Sequence, residues 1–330
     1  MSVRVVPAPT LVTRRAWTAR ADAHAARADA LTAGRRARSS RHEKEPIEDF
    51  LFDYYSLRPA QLRRWHPGAG VVLALDDDPA RPGTADGDEP SGPPAGVAAR
   101  PPEDRATWRW HREIPVPGGR AVTLDTAAYL ADRGDGVRWI HDLLVRTATR
   151  APQLGCLGLH EWAMVYRQDT HRHPLPLRLG QEGTDAVVEA NPVRCSHYDA
   201  FRFFTPPARP LNRLRPERAT QQAMEQPGCL HANMDLLKHA LKLGPACPGA
   251  LLLDCFELAR DIRVLDMRAS PYDVTGLGQS AVAIETASGR AEYVAAQRAF
   301  SERSQPLRRR LLQVTSSLVG PPPGDPAHRP

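Results

Sequence analysis

The chain has 330 residues, a net charge of +6, and a globular balance of 42% hydrophobic and 25% charged residues. Its length fits one large domain or two ordinary ones. It has five cysteines without a C-x-x-C pair, and no apolar run approaches the roughly 18 residues needed to cross a bilayer. These features exclude a membrane-spanning helix and predict a reduced, cytoplasmic protein without a membrane partner.

The positive charge is concentrated in residues 1–45, which hold ten basic and four acidic side chains. Ala and Arg alternate through this arm, and its Arg/Ala run contains one large apolar side chain, Trp17. Such a composition favours either a solvated helix or a disordered arm. Only three of the 44 basic residues in the chain are lysine, which is typical of GC-rich coding. The charge therefore permits DNA binding without arguing for it.

The folded body is predicted over residues 46–318. Its first segment is rich in aromatic residues, and a helix break is expected at Leu57-Arg58-Pro59 because a residue before proline is pushed out of the α region. Residues 76–104 are acidic and rich in Pro and Gly, so they are predicted to be a disordered insertion, as is the tail 319–330.

After the insertion, TWRWHREIPVPGGRAVTL predicts a β-hairpin that turns at Pro117-Gly118-Gly119. Helices are predicted to dominate from there, with Asp125 capping the first. Their predicted ranges are 126–132, 135–149, 153–168, 182–190, 197–203, 215–225, 230–243, 249–267, 286–304 and 306–317, the last two separated at Pro306. The expected fold class is mainly α: a single helical domain with a small β-hairpin element and a disordered N-terminal arm, acidic insertion and C-terminal tail.

The segment GCLGLHEWAMVYR places His160 and Glu161 among apolar residues. An ionisable pair in such surroundings must be hydrogen-bonded, or its pKa shifts. It is a candidate general acid/base pair or a pair of metal ligands. The alternative is a core histidine beside an exposed glutamate.

The segment VRCSHYDAFRFF brings His197 and Asp199 next to Tyr198, Phe201 and Phe204. Aromatic side chains beside a histidine and a carboxylate suit a pocket that stacks a planar ligand such as a base. The alternative is an ordinary aromatic layer of the core.

The segment HANMDLLKHALKL repeats ionisable side chains at i, i+4 and i+8, which lie on one helix face. The next helix repeats acids at i, i+3 and i+7. Two facing stripes would form a metal centre for iron, manganese or zinc, whereas an acidic stripe opposite apolar residues is also what a solvated amphipathic face looks like. The candidate ligands are His231, Asp235, His239, Asp254, Glu257 and Asp261.

The sequence has no G-x-G-x-x-G, Walker A, G-x-S-x-G or H-E-x-x-H motif. Several long stretches instead resemble one family. FLFDYYSLRPAQLRRWHPG, GCLGLHEWAMVYR, HPLPLRLG, RCSHYDAFRFFTP, EQPGCLHANMDLLKHA, DCFELARDIRVLDMRASPYD and IETASGRAEYV resemble an actinobacterial family commonly labelled 3-methyladenine DNA glycosylase. The resemblance covers most of residues 46–300.

The resemblance implies a DNA repair enzyme that flips an alkylated purine out of the duplex and hydrolyses its N-glycosidic bond without a cofactor. Alkylated DNA is the implied partner. The candidate catalytic residues are Glu161, Asp199, Asp235, His160 and His197. The candidate base-stacking residues are Trp162, Tyr198, Phe201 and Phe204. The candidate contacts to DNA phosphates are Arg58, Arg63, Arg64 and Arg194.

Two alternatives from other classes remain open. The first is a helical, oxidase-like metalloenzyme built on the histidine and carboxylate stripes. The second is a non-catalytic protein whose arm and Arg308-Arg309-Arg310 bind a polyanion.

Overall fold

The computed structural model describes residues 10–76, 105–171 and 173–320. The predicted disordered insertion and tail fall almost entirely outside these ranges, as do residues 1–9 of the arm. Within them the fold is mainly helical with one small sheet, which confirms the predicted fold class. No helix among the described residues is both long and apolar enough to cross a bilayer.

The described residues form twelve α-helices and four β-strands, with short 3-10 turns between some of them. The helices are α1 (Arg14–Leu31), α2 (Ala33–Ser40), α3 (Phe50–Tyr54), α4 (Pro59–Arg63), α5 (Thr126–Ala148), α6 (Leu159–Ala163), α7 (Gly180–Ala190), α8 (Tyr198–Phe201), α9 (Gln221–Met224), α10 (Leu230–Leu243), α11 (Gly249–Arg268) and α12 (Ala287–Val319). The strands are β1 (Thr10–Val12), β2 (Val71–Ala74), β3 (His111–Val116) and β4 (Gly119–Leu124).

The N-terminal arm, for which helix and disorder are both expected, is helical and packs on the body. Strand β1 pairs in parallel with β2, and α1 lies against α4 and α11. Trp17 is buried, and its Nε1 donates a hydrogen bond to the Ala74 carbonyl at 2.8 Å. His24 is also buried, with Nε2 2.7 Å from the Leu62 carbonyl. The described part of the arm therefore belongs to the same packed unit as the body.

The predicted hairpin is confirmed as β3 and β4, which pair in antiparallel register with Glu113 opposite Val122. The turn between them contains Gly118, whose φ of +89° favours glycine. The sheet is larger than a hairpin because β2 pairs with β4 and β1 pairs with β2, which gives the order β1-β2-β4-β3.

The helical core is built around α10 and α11, which pack against each other and against α12. The apolar periodicity predicts both helices: α10 has the predicted bounds, and α11 runs one residue further. Leu237, Leu253 and Leu258 are fully buried, so this helix pair lies at the centre of the hydrophobic core. Any ionisable side chain on their inner faces therefore needs a partner.

Helix α5 is one continuous helix, where two pieces are predicted. Its first turn is capped as expected, since Asp125 Oδ1 accepts a hydrogen bond from the Ala128 amide at 3.0 Å.

The helix predicted over residues 153–168 is wrong in extent, because only the five residues of α6 are helical. Leu157 and Gly158 have φ angles of +53° and +72°, which an α-helix cannot contain.

Two further helix predictions are wrong. The helix predicted over 215–225 is only the four residues of α9. Pro306 does not interrupt α12, which runs through it. Proline removes one backbone donor, but Pro306 faces solvent while Tyr293 and Leu311 on either side are buried in the core. That packing holds the helix together across the missing hydrogen bond.

Candidate functional site

A sharp turn before α6 brings two ionisable side chains into the core. Leu157 and Gly158 both adopt left-handed backbone conformations. A Cβ atom on Gly158 would lie 3.3 Å from the Tyr293 ring, so this position requires glycine for its φ angle and for close packing. The turn starts α6 with His160 and Glu161 pointing inward, and both are buried.

The first group of candidate ligands consists of His160, Glu161, His231 and Asp266. The ligand atoms of these four residues all lie within 4.8 Å of one another. His160 Nε2 is 2.9 Å from Asp266 Oδ1 and 3.9 Å from Glu161 Oε1. The residues come from α6, α10 and α11, and none is more than 6% exposed. We call these four residues the first group.

Arg263 supplies positive charge to the first group. Its Nη1 lies 2.7 Å from Asp266 Oδ2 and 3.6 Å from Glu161 Oε1. The guanidinium also stacks 3.8 Å from the centre of the Phe50 ring and is 1% exposed. Burial opposes the charge of Asp266, but the hydrogen bond from His160 and the neighbouring cations hold the pKa of its carboxyl below the usual range.

The two histidines of the first group carry different charges. Burial opposes the imidazolium form of His160, but Cys156 and Asp266 hold its pKa well above the usual range. Burial and repulsion from His160 lower the pKa of His231 to about 3. His231 is therefore neutral at physiological pH, and a neutral imidazole is the form that binds a metal.

Cys156 fixes the orientation of the His160 ring from the other side. Its Sγ lies 3.4 Å from His160 Nδ1, while Nε2 faces Asp266. Histidines that bind metals usually have their second ring nitrogen held by such a partner. The arrangement leaves the ring with a single orientation.

The second group of candidate ligands consists of His197, Glu225 and Asp235. Their ligand atoms also lie within 4.8 Å of one another, and none of the three is more than 2% exposed. His197 Nε2 is 3.3 Å from Asp235 Oδ2 and 3.5 Å from Glu225 Oε1. Neither nitrogen of His197 makes a hydrogen bond of good geometry within the described part of the chain. We call these three residues the second group.

Lys238 is the cation next to the second group. Its Nζ lies 2.6 Å from Asp235 Oδ2 and 2.7 Å from Asp199 Oδ2. Tyr55 donates a hydrogen bond to the other Asp235 oxygen at 2.9 Å. Burial opposes the charge of Asp235, but Lys238 and His197 hold its pKa well below the usual range. Burial raises the pKa of Glu225, which no cation contacts as closely.

The two groups are adjacent, and His231 lies between them. Its ring centre is 4.5 Å from that of His160 and 5.5 Å from that of His197. His231 and Asp235 are one turn apart on α10, so this helix supplies one ligand to each group. Together the groups form one buried stretch of histidines and carboxylates.

The structure assembles only part of the predicted metal stripes. His231 and Asp235 enter the two groups, but His239 lies beside Trp139, with ring centres 6.4 Å apart. The predicted acids of α11 face the other way: Asp254 and Glu257 contact Arg27, Asp254 also contacts Arg310, and Asp261 contacts Arg303. Asp266 follows Asp254 by twelve residues, which turns its side chain about 120° around the helix. The expected facing acidic stripe is therefore replaced by Asp266.

The predicted base-stacking residues are mostly core residues. Trp162 is fully buried and donates to the Ala269 carbonyl at 2.8 Å, and Phe204 is buried against Phe201 with ring centres 5.0 Å apart. Tyr198 is half-buried. The burial of Phe204 fits the aromatic core layer that the sequence leaves open as the alternative.

The predicted phosphate contacts are exposed arginines. Arg58, Arg63 and Arg64 lie on or beside α4, where Arg63 pairs with Asp29 at 3.1 Å and Arg64 stacks on Trp108 at 5.2 Å. Arg194 lies apart from them in sequence, and a Cβ added to Gly155 would lie 3.8 Å from its side chain.

The arginines proposed for polyanion binding are not a free basic surface. Arg308 is 1% exposed, and its Nη2 donates a hydrogen bond to Asn233 Oδ1 at 2.7 Å. Arg310 pairs with Asp254 at 2.5 Å. Arg309 alone of the three is exposed. Two of the three arginines are therefore engaged within the fold.

Six residues in or beside the two groups are not among the site residues predicted from the sequence: Tyr55, Cys156, Glu225, Lys238, Arg263 and Asp266. Arg263 and Asp266 had a detectable signal, because they are charged residues three apart among the buried Ile262 and Leu265. Glu225 follows the polar run Gln221-Gln222, and nothing local distinguishes it from a surface acid.

Comparisons with known proteins add no assignment. No family model, curated protein or solved structure matches the chain.

Proposed function

We propose that this protein is a metalloenzyme whose metal ion is held by the first group. The proposal rests on one observation: two histidines and two carboxylates from three separate helices converge in the core, with all ligand atoms within 4.8 Å of one another. Two imidazoles and two carboxylates are ligands that suit iron, manganese and zinc. Iron(II) is the first expectation, because histidine pairs with a carboxylate are common in non-haem iron enzymes.

The burial of the first group supports a functional role over a purely structural one. Each of its charged residues is at most 6% exposed, and Arg263 is 1% exposed. Removing charges from water costs several kcal/mol per ion in real proteins, by rough estimate, and apolar residues of similar volume are often as stable. Stability alone is therefore a weak reason for this arrangement, whereas a metal ion would use each of its ligand atoms.

The hydrogen bonds around the first group are consistent with loading by a divalent cation. The proton that His160 shares with Asp266 would leave when a metal binds between them, since ligands bind metals in deprotonated form. Arg263 contacts the outer oxygen of Asp266, and Cys156 holds the outer nitrogen of His160. These contacts keep the ligands oriented in either state.

A metal in this position supplies Lewis acidity or redox chemistry. Asp266 and Glu161 bring two negative charges to the ion, while Arg263 offsets part of that charge. An oxidase-like reaction is the class that this ligand set fits best, because the two carboxylates stabilise the higher charge of an oxidised metal.

The glycosylase activity implied by the resemblance remains a prediction. Four of the stretches that carry the resemblance supply both groups, including His160, His197, His231 and Asp266. The candidate carboxylates Glu161 and Asp235 are buried, so a flipped base could reach them only after rearrangement of the core. The glycosylase proposal is tested by measuring release of 3-methyladenine from alkylated duplex DNA in the presence of a chelator.

The metal proposal is tested by titrating chelator-treated protein with iron(II), manganese(II) and zinc(II) by calorimetry, iron(II) under anaerobic conditions. The site variants are His231→Ala and Asp266→Asn. The matched control is Asp254→Asn, which removes an acid from another side of α11. Circular dichroism confirms that each variant is folded.

We expect the wild type and Asp254→Asn to bind at least one of the three metals and both site variants to lose the ion that the first group holds. The proposal fails if the wild type binds none of them, or if Asp266→Asn and His231→Ala bind as tightly as the control.

A further inference from the structure

We infer that the second group is a second metal site, so that the centre holds two metal ions. This inference rests on the proposed function, which assigns the first ion to the first group. One imidazole and two carboxylates are a ligand set that divalent transition metals accept. Two-metal centres in enzymes commonly combine histidine with carboxylate ligands.

The ligand atoms of the second group point at one another without satisfying one another. His197 is fully buried, and its Nε2 faces Asp235 Oδ2 at 3.3 Å and Glu225 Oε1 at 3.5 Å. These distances exceed those of good charge-assisted hydrogen bonds, and the nitrogen forms no hydrogen bond of acceptable angle within the described ranges. Buried polar atoms are nearly always paired. A metal ion held by the three side chains would give the unpaired His197 nitrogen a partner.

The charge around the second group leaves room for a cation. The acids facing it are Asp235, Glu225 and Asp199. Lys238 forms ion pairs with Asp235 and Asp199, and Arg202 Nε lies 3.5 Å from Asp199 Oδ1. No lysine or arginine among the described residues lies within ion-pair distance of Glu225. Glu225 Oε1 accepts a hydrogen bond from the neutral amide of Gln221 at 2.5 Å. Glu225 therefore has His197 beside it at 3.5 Å but no lysine or arginine partner among the described residues, and a second metal would supply it with positive charge.

The position of α10 links the two sites. His231 belongs to the first group and Asp235 to the second, one helical turn later. The rings of His231 and His197 stack at 5.5 Å with an angle of 30° between their planes. Loading one site therefore restrains a helix face that also carries a ligand of the other.

The experiment measures bound zinc(II) and manganese(II) per chain in the full-length protein, by titrating chelator-treated samples and confirming the stoichiometry by elemental analysis. The wild type is compared with Glu225→Gln, which keeps the volume and one acceptor oxygen of the side chain and removes its charge. Asp235→Asn is the second variant. Glu217→Gln, at an exposed glutamate eight residues earlier, is the matched control.

We expect two ions in the wild type and in Glu217→Gln, and one ion in Glu225→Gln and Asp235→Asn. One ion in the wild type that is retained in Glu225→Gln overturns the second site and leaves the proposed function standing. One ion that is lost in Glu225→Gln but retained in His231→Ala supports the second site and overturns the first. If the wild type binds no ion, both metal sites are overturned. That conclusion comes from the wild type alone and does not depend on whether any variant folds.

Discussion

The imidazole of His231 packs edge-on against that of His160, with ring centres 4.5 Å apart and planes at 84°. One ring is held in the protonated state by Asp266 and Cys156, and the other is kept neutral by burial and by repulsion from its neighbour. Such an asymmetric pair is expected where a metal replaces a proton. The neutral His231 can bind the metal directly, whereas His160 must first lose its proton.

The contact between Cys156 Sγ and His160 Nδ1, which lie 3.4 Å apart, is expected to strengthen metal binding without contributing a ligand. Removing an outer partner of a metal-binding histidine typically weakens affinity about 10- to 100-fold. We therefore expect Cys156→Ala to weaken binding by that range, and Cys156→Ser, which keeps a hydrogen-bonding group, to restore most of it. The measurement is a metal titration against a competing chelator. Equal affinities for Cys156→Ala and the wild type would show that the contact is not used.

Gly158 is expected to be intolerant of a side chain. Its φ is +72°, and an added Cβ would lie 3.3 Å from the Tyr293 ring. A left-handed residue with a Cβ costs about 1–2 kcal/mol, so we expect Gly158→Ala to lower the free energy of unfolding by about that amount and to weaken metal binding through displacement of α6.

Gly276→Ala is the control for this substitution, because nothing lies within 4 Å of its added Cβ and its φ is not in the left-handed region. Its free energy of unfolding should stay within about 0.5 kcal/mol of the wild type. Urea denaturation compares the two variants, and equal effects would show that Gly158 is not under the constraint described.

The ion pairs of Asp49 make part of the stability pH-dependent. Burial opposes the charge of Asp49, but Arg38 at 2.8 Å, the Glu45 amide and Arg35 hold its pKa below the ordinary value of 3.8. A depressed pKa means that the stabilisation is complete well above pH 3.8 and is lost as the pH falls through the lower folded value.

We expect Asp49→Asn to lower the free energy of unfolding at pH 7 by about 2 kcal/mol, the typical contribution of hydrogen bonds to charged groups. The difference from the wild type should shrink as the pH falls below 3.8. Asp53→Asn, whose carboxylate is 56% exposed, serves as the control and should change little. A difference for Asp49→Asn that persists unchanged at low pH would contradict this account.

Lys238 is expected to compete with a metal for Asp235, because its Nζ lies 2.6 Å from Oδ2 of that residue. Lys238→Met removes the charge and keeps most of the side-chain volume. We expect it to raise the affinity of the second group for zinc(II) about tenfold, which corresponds to about 1.4 kcal/mol. Lys242→Met, at an exposed position one turn later on α10, should leave the affinity unchanged. A lower affinity in Lys238→Met would indicate that the lysine supports the site.

Much of the fold is predictable from local pattern, but not all of it. The apolar periodicity of α10 and the proline and glycine of the β3–β4 turn are local signals, and both predictions are confirmed. The burial of Trp17 depends on strand β2, which lies more than fifty residues later in the chain. The Arg/Ala composition around Trp17 gives no local sign of that contact. The continuity of α12 through Pro306 likewise depends on tertiary packing.

The histidines of the candidate site are predictable from the sequence, but most of their carboxylate partners are not. His160, His197 and His231 stand out as ionisable residues in apolar segments, and the structure brings them together. Their carboxylate partners are set by tertiary contact: His160 meets Asp266 across 106 residues of chain. A helical face of acids at Asp254 and Glu257 gives the stronger local pattern, yet it pairs with arginines on another side of α11.

The most direct test of the central claim is the metal content of freshly purified protein, measured by elemental analysis for the wild type and for Asp266→Asn. The account predicts that the wild type retains about one or two iron, manganese or zinc ions per chain through gel filtration, because a buried set of deprotonated ligands releases metal slowly, and that Asp266→Asn has lost at least one of them. A wild-type protein that is metal-free as purified and takes up none of the three metals when they are supplied would contradict it.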